Sequence, residues 1–289
     1  MFKKSLLLTA PLLFAGLAYT AYAQKTQAPS IAPFKATPIT QDLKLSQADQ
    51  DLLLSILRNS SPRDERSQIA TLEASWTPAF IPPVLEIYNF IPSSDIRRAI
   101  VGKLKDSTGQ DFGTTMNDWY RWLWNEPELK IAGYDNFKAS FYRNIDPKFE
   151  RYFRDRGASA RLRLDEIRWG GVLQDGIPPL RQPKMISAKD ANYLEDDNII
   201  FGIEVNGDIR AYPKRILAWH EMFVDKVGGI DVAGVYCTLC GTVILYETEG
   251  KLSHTMGTSG FLYRSNKLMY DKATQSLWNT IKGELDLLH

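Results

Sequence analysis

The chain has two cysteines and three histidines in 289 residues. Both cysteines fall in one heptapeptide, Tyr236-Cys237-Thr238-Leu239-Cys240-Gly241-Thr242. A CxxC spacing has two chemical uses. It is a redox dithiol when a helix N-terminus or a nearby charge stabilises one thiolate. It is a metal knuckle when two thiolates two residues apart reach one tetrahedral ion. The flanks here read as strand, CxxC-Gly, strand, which is closer to a knuckle than to the strand, CxxC, helix order of a thioredoxin-type site. A knuckle brings two ligands, so further ones must come from elsewhere. His220, on a short helix just upstream, is the natural third ligand or a base for a thiolate, with Glu221 orienting it. His254 and Met256 are further candidates. Two sulfurs with one imidazole and a thioether suit Cu(I), and an added imidazole or carboxylate suits Zn²⁺. A static disulfide between Cys237 and Cys240 is equally open in an oxidising compartment. His220 is then a structural histidine beside Glu221.

Two further constellations carry polar groups. Asp165-Glu166 precede Trp169-Gly170-Gly171, and Asp175-Gly176 follow. Paired carboxylates can do acid–base work. An Asp before Gly is more often a turn former, and Asp165 or Glu166 can be salt-bridged to Arg161 or Arg163. Ser259 lies between glycines in Gly257-Thr258-Ser259-Gly260-Phe261-Leu262-Tyr263, followed by Asn266 and by Met269-Tyr270-Asp271. The spacing is not that of a nucleophile elbow, and a strand-to-helix turn is not evident. Asp165, Glu166, Asp175, Ser259, Tyr263, Tyr270 and Asp271 therefore rank behind the cysteines. No Gly-rich phosphate loop, HExxH or EF-hand motif is present.

The elements that must hold these residues divide in two. Ser46 is placed to cap a helix over 47–58, with Leu52, Leu53, Ile56 and Leu57 as its apolar stripe. Ser61-Pro62 opens a second helix to about Ala74, Thr77-Pro78 a third through Tyr88, and Ser94 a fourth ending near Gly109. Trp119, Trp122 and Leu123 share a face of a helix over 116–125. Phe137, Phe141, Ile145, Phe149 and Phe153 recur at spacings of four, interrupted at Asp146-Pro147, and are expected in the core. Near residue 160 the period changes. Arg161 to Leu164 alternates like a strand, and Ile199 to Tyr212 reads as a hairpin turning at Asn206-Gly207. A short helix over 214–223, a Gly228-Gly229 turn, and strands over 230–236, 242–247 and 252–256 complete the pattern. The fold class expected is α+β: a helical region followed by a mixed, mostly antiparallel β-rich domain with a short helix.

Composition narrows the function classes. Lys and Arg number 35 against 34 Asp and Glu, a net charge of +1, which gives no electrostatic case for nucleic-acid binding. Met1-Phe2-Lys3-Lys4, the apolar run Ser5 to Tyr19 and Ala21-Tyr22-Ala23 form a secretory signal peptide, with cleavage expected after Ala23. Losing Lys3 and Lys4 leaves 33 basic against 34 acidic residues, a charge near −1. The apolar run is shorter than the ~20 residues of a bilayer span. The mature chain is expected in the periplasm or secreted, with no transmembrane segment. Residues 24–41, rich in Pro, Thr, Ala and Gln, read as a linker. The division expected is thus 1–23, 24–41, a helical domain over 42–157 and a β-rich domain over 158–289.

The helical part weakly resembles HEAT repeats, through Leu85, Ile87 and Asp95-Ile96-Arg97-Arg98-Ala99. The second half resembles a bacterial and archaeal family, domain of unknown function 3179 (DUF3179), over about 165–283. The motifs are Trp169-Gly170-Gly171-Val172, 175–180, Arg210-Ala211-Tyr212-Pro213, 216–221, the CxxC heptapeptide, 259–263, 269–271 and Ser276-Leu277-Trp278. The resemblance brings no settled activity. It implies a compact mixed-β domain, often on exported proteins, and its pattern includes His220, Glu221, Cys237, Cys240, Ser259, Tyr263, Tyr270 and Asp271. His254 and Met256 fall outside that pattern. Family members usually continue past the Ser-Leu-Trp segment, so the expectation is either a domain cut short at His289 or one that closes differently. Two functional readings follow. One is a metal-binding site for Zn or Cu, or a thiol-redox site, on Cys237, Cys240 and His220. The other is a non-enzymatic binding module, its helices facing a protein partner and its CxxC a structural disulfide. The residues do not choose a reaction.

Overall fold

The computed structural model describes residues 43–248 and 255–287. The expected signal peptide, the linker and His254 lie outside the described residues. The first half is helical: α1 (Gln47–Ser55), α2 (Pro62–Ser75), α3 (Ile81–Ile87), α4 (Ser94–Thr108), α5 (Met116–Asn125), α6 (Tyr134–Arg143) and α7 (Glu150–Phe153). Capping chemistry sets several of these bounds. Ser46 and Asp49 form a reciprocal capping box at α1. Ser61 caps α2 just ahead of Pro62. Ser93 rather than Ser94 caps α4, and Gly109, at φ 70°, closes it in the left-handed region that a Cβ disfavours. The third expected helix splits into a 3-10 turn over Pro78–Phe80 and α3.

The short strands β1 (Leu43–Lys44) and β2 (Ile131–Ala132) pair within the helical half. The β-rich half holds the rest: β3 (Ile167–Trp169), β4 (Leu180–Arg181), β5 (Ile200–Val205), β6 (Asp208–Pro213), α8 (Lys214–His220), β7 (Met222–Val227), β8 (Ile230–Cys237), β9 (Thr242–Glu247), β10 (Met256–Tyr263), β11 (Asn266–Asp271), β12 (Leu277–Asn279) and β13 (Glu284–Leu287). One sheet has the order β13-β12-β11-β10-β3 and a second β4-β7-β8-β9, while β5 and β6 form a separate hairpin. All these pairs are antiparallel except β4 with β7. The fold is α+β as expected. The hairpin turns on Asn206 and Gly207, at φ 50° and 79°, the positive pair that a tight hairpin turn demands.

The strand expected over 161–164 is absent. Arg163 instead donates to the carbonyls of Leu123 and Glu126 at the end of α5, at 3.0 and 2.7 Å. The chain then makes a 3-10 turn over Leu164–Glu166 before β3 begins. The α8 helix also stops earlier than its apolar pattern suggests. Glu221 takes φ 54°, so Met222 already belongs to β7.

The aromatic stripe packs as a core, and its partner is in the sheet. Phe261 of β10 meets Tyr142, Phe149, Tyr152 and Phe153 edge to face, with centroids 4.7–5.9 Å apart. One core therefore contains Trp119, Phe137 and Phe153 together with Ile167, Leu268, Tyr270 and Leu277. No helix among the described residues is long and apolar enough to cross a membrane.

Candidate functional site

The heptapeptide with the cysteines is the turn of the β8–β9 hairpin. Cys237 pairs with Thr242 as the last ladder rung, and Gly241, at φ 65°, donates to the Cys237 carbonyl at 2.8 Å. Strand β8 is buried from Val232 to Tyr236, Cys237 is half-buried, and Thr238, Leu239 and Cys240 stand in solvent. The strand is fixed from below. Gly234 lies opposite Phe223 of β7, and that ring occupies the space where a Cβ would go. Phe223 is itself stacked on Tyr212, centroids 3.8 Å apart.

Both cysteines are free. Their sulfurs are 2.7 Å apart, beyond the ~2.05 Å of a disulfide bond. Cys240 Sγ is also 3.0 Å from Asn266 Oδ1, at the start of β11. Desolvation, the hydrogen bond to Cys237 and the charge of that neighbour push the Cys240 thiol up to about 11. Two adjacent sulfurs resist carrying two negative charges, which helps Cys240 keep its proton.

An ion pair underlies the turn. Lys267 Nζ donates to Glu221 Oε2 at 2.6 Å, and Thr238 Oγ1, within the CxxC, donates to Glu221 Oε1 at 2.8 Å. The side chains of Lys267 and Glu221 are 8% and 17% exposed. Glu221 is held rigidly. Its N–H closes α8 on Leu217 at 2.7 Å, and its carbonyl accepts from Tyr236 N–H at 2.9 Å. Burial pulls the Lys267 ammonium below its ordinary range, while Glu221 and then the Cys237 sulfur counter it. A cleft of about 210 Å³ is lined by Lys267, Glu221, Thr238, Leu239, Thr258 and Phe261 among others. A smaller one, about 150 Å³, is lined by both cysteines with Thr242, Asn266, Thr280 and Ile281.

His220 points elsewhere. Its Nδ1 is 2.9 Å from the Pro178 carbonyl, so the ring tethers the loop after Asp175. Among the described residues no group of three or more His, Cys, Asp and Glu side chains is placed to hold a metal ion. Cys237, Cys240 and His220 are thus not brought together as a ligand set.

The remaining candidates sit in other networks. Asp165 and Glu166 are buried. Arg163 pairs with Asp165 at 2.8 Å and Arg264 with Glu166 at 2.6 Å. Asp175, at φ 54°, accepts from Tyr270 Oη at 2.5 Å, and its N–H donates to the Thr258 carbonyl. Burial, then the carboxylate, raises the Tyr270 phenol well above its ordinary range. Ser259 is fully buried at a bulge between β10 and β11. It donates to the Leu268 carbonyl at 2.6 Å and accepts from Phe261 N–H at 3.0 Å, so its hydroxyl is engaged within the bulge. Tyr263 ends β10 opposite Asn266. Asp271 caps the turn after β11, accepting from Ala273 N–H, Thr274 N–H and Thr274 Oγ1. Lys267 is the site residue that motif reasoning misses. Its one signal is a lysine inside a strand whose other side chains are mostly apolar.

No curated protein and no solved structure matches the chain. A family model does match, over residues 174–285, a span that takes in both cysteines, His220, Glu221 and Lys267 and leaves out Asp165, Glu166 and Trp169-Gly170-Gly171. The model that residues 174–285 match is that of the family described as protein of unknown function (DUF3179).

Proposed function

We propose that Cys237 and Cys240 are a thiol–disulfide exchange centre. The observation that supports this most is the pair of free thiols, sulfurs 2.7 Å apart, on an exposed turn over a buried ion pair. The half-buried Cys237 is the attacking thiolate. It displaces one sulfur of a partner disulfide, and the leaving thiolate takes up a proton. Cys240 then gives up its proton and attacks Cys237 in the mixed disulfide, releasing the partner's second sulfur as a thiol. The chain's dithiol loses two electrons and two protons, and the partner disulfide gains them. The reverse sequence would oxidise a partner dithiol. Export, with a mature start at Gln24, belongs to the same proposal, since it puts the pair where disulfides persist.

The test is equilibration of the purified mature chain with glutathione redox buffers, read as alkylatable thiols by mass, with metal content and the N-terminal residue measured on the same sample. A reversible change of two thiols per chain, without bound metal, is expected. Stoichiometric zinc or copper that protects both thiols would overturn the proposal in favour of a metal knuckle. A disulfide that glutathione does not open would make the pair a structural staple.

A further inference from the structure

We infer that Lys267 is a positioning residue for this dithiol, and that its ion pair with Glu221 sets how readily Cys237 and Cys240 are oxidised. The inference rests on the exchange reading above and adds the element that tunes it. Three contacts carry it. Lys267 Nζ meets Glu221 Oε2 at 2.6 Å, and Glu221 Oε1 takes the hydroxyl of Thr238, the residue directly after Cys237. Asn266, next to Lys267 in β11, has its Oδ1 3.0 Å from Cys240 Sγ. The start of β11 thus reaches the CxxC turn directly through Asn266 at Cys240 and indirectly through Lys267 and Glu221 at Thr238. The cleft beside the turn has Lys267, Glu221 and Thr238 in its wall.

A buried ion pair costs desolvation, and a hydrophobic pair of the same shape would hold the fold as well. A charge pair under a reactive turn does something apolar packing cannot. A cation near a thiolate stabilises the reduced form, and a carboxylate near it does the opposite. Cys237 touches Cys240 and interacts electrostatically with Lys267, and Glu221 reaches the turn through Thr238. His220 is turned to the Pro178 carbonyl. Lys267 and Glu221 thus act on the dithiol with opposite signs, and removing either unmasks the other.

That opposition gives the test. The glutathione equilibrium of the full mature chain is measured for Lys267→Met, Lys267→Arg and Glu221→Gln, with thermal unfolding followed in parallel. Lys267→Met leaves the carboxylate uncompensated. Measured at a pH where Cys237 is ionised, the disulfide form should be favoured about tenfold, a potential about 30 mV lower. Glu221→Gln leaves the ammonium uncompensated and should favour the dithiol by a similar factor. Lys267→Arg should stay near the parent value. A merely structural role would shift both charge-removing variants the same way, or lower unfolding temperatures and leave the equilibrium unmoved; either result overturns the inference. If the parent chain does not equilibrate with glutathione at all, the exchange reading falls and this inference with it. The parent control therefore separates the two failures.

Discussion

At the scale of single residues, the two sulfurs differ in a way that can be measured directly. Cys240 holds its proton up to about 11 because of partial desolvation on an otherwise exposed turn and because of the neighbouring sulfur. Its folded value lies above the ordinary 9.0 of a free thiol. The bound proton therefore favours the folded, reduced chain fully below pH 9, and that contribution is lost as pH climbs through 11. Alkylation resolved by mass should label Cys240 fully only as the pH approaches 11. In a Cys237→Ser variant the Cys240 midpoint should fall part of the way, because desolvation remains while the hydrogen bond and the charge of the neighbouring sulfur are gone. An unchanged midpoint in that variant would assign the shift to burial alone. The cysteines were legible because two of one type fell in seven residues. His220 was misleading, since nearness along the chain suggested a ligand while the folded ring goes to Pro178. Lys267 was invisible as a partner because Glu221 lies 46 positions before it. Only the pairing of β10 with β11 and the end of α8 brings them together.

At the scale of elements, local chemistry spoke clearly wherever caps and turns were involved. Ser46, Ser61 and Gly109 marked helix ends, and Asn206-Gly207 marked the hairpin. It failed where a side chain far away in sequence decided the backbone. Arg163 alternates with Leu162 and Leu164 as a strand would, yet its guanidinium is taken by α5 carbonyls and by Asp165. The hairpin with the thiols is held by a packing rule that sequence does not display: a glycine faces an aromatic ring across two strands. A Cβ on Gly234 would lie 2.0 Å from Phe223 Cε1. The ring cannot retreat, since Tyr212 is stacked on its other face. Gly234→Ala should therefore destabilise the chain by about 1–3 kcal/mol, the usual cost of overpacking. A lower urea midpoint with an unchanged m-value would check it. Restoration by a second change, Phe223→Leu, would show that the clash and not lost backbone freedom is the cause.

At the scale of the whole molecule, the helical and β-rich halves are joined by a polar knot as well as by the aromatic core. Lys138 of α6 is fully buried and pairs with Glu86 of α3, which also accepts from Tyr134 at 2.9 Å and from Tyr142. The same ammonium donates to the Ile167 carbonyl in β3 at 2.7 Å. Tyr142 Oη then accepts from Trp169 N–H at 3.3 Å. One knot therefore ties two helices to the first strand of the five-stranded sheet, across the division at 157–158 that composition suggests. Burial pulls Lys138 down in pKa while Glu86 opposes it, so the charge survives only with its partner. Lys138→Met removes the cation but leaves a carboxylate buried, which typically costs about 3–5 kcal/mol. Because the lost contacts lie in both halves, the variant should still unfold in one transition, shifted to lower denaturant, with helical and aromatic signals moving together. If only the helical signal shifted and the sheet held, the knot would serve the helices alone. A variant with both charges removed, Glu86→Gln with Lys138→Met, should recover most of the loss, since no unpaired charge is left inside. That recovery would separate the cost of a stranded carboxylate from the cost of lost packing.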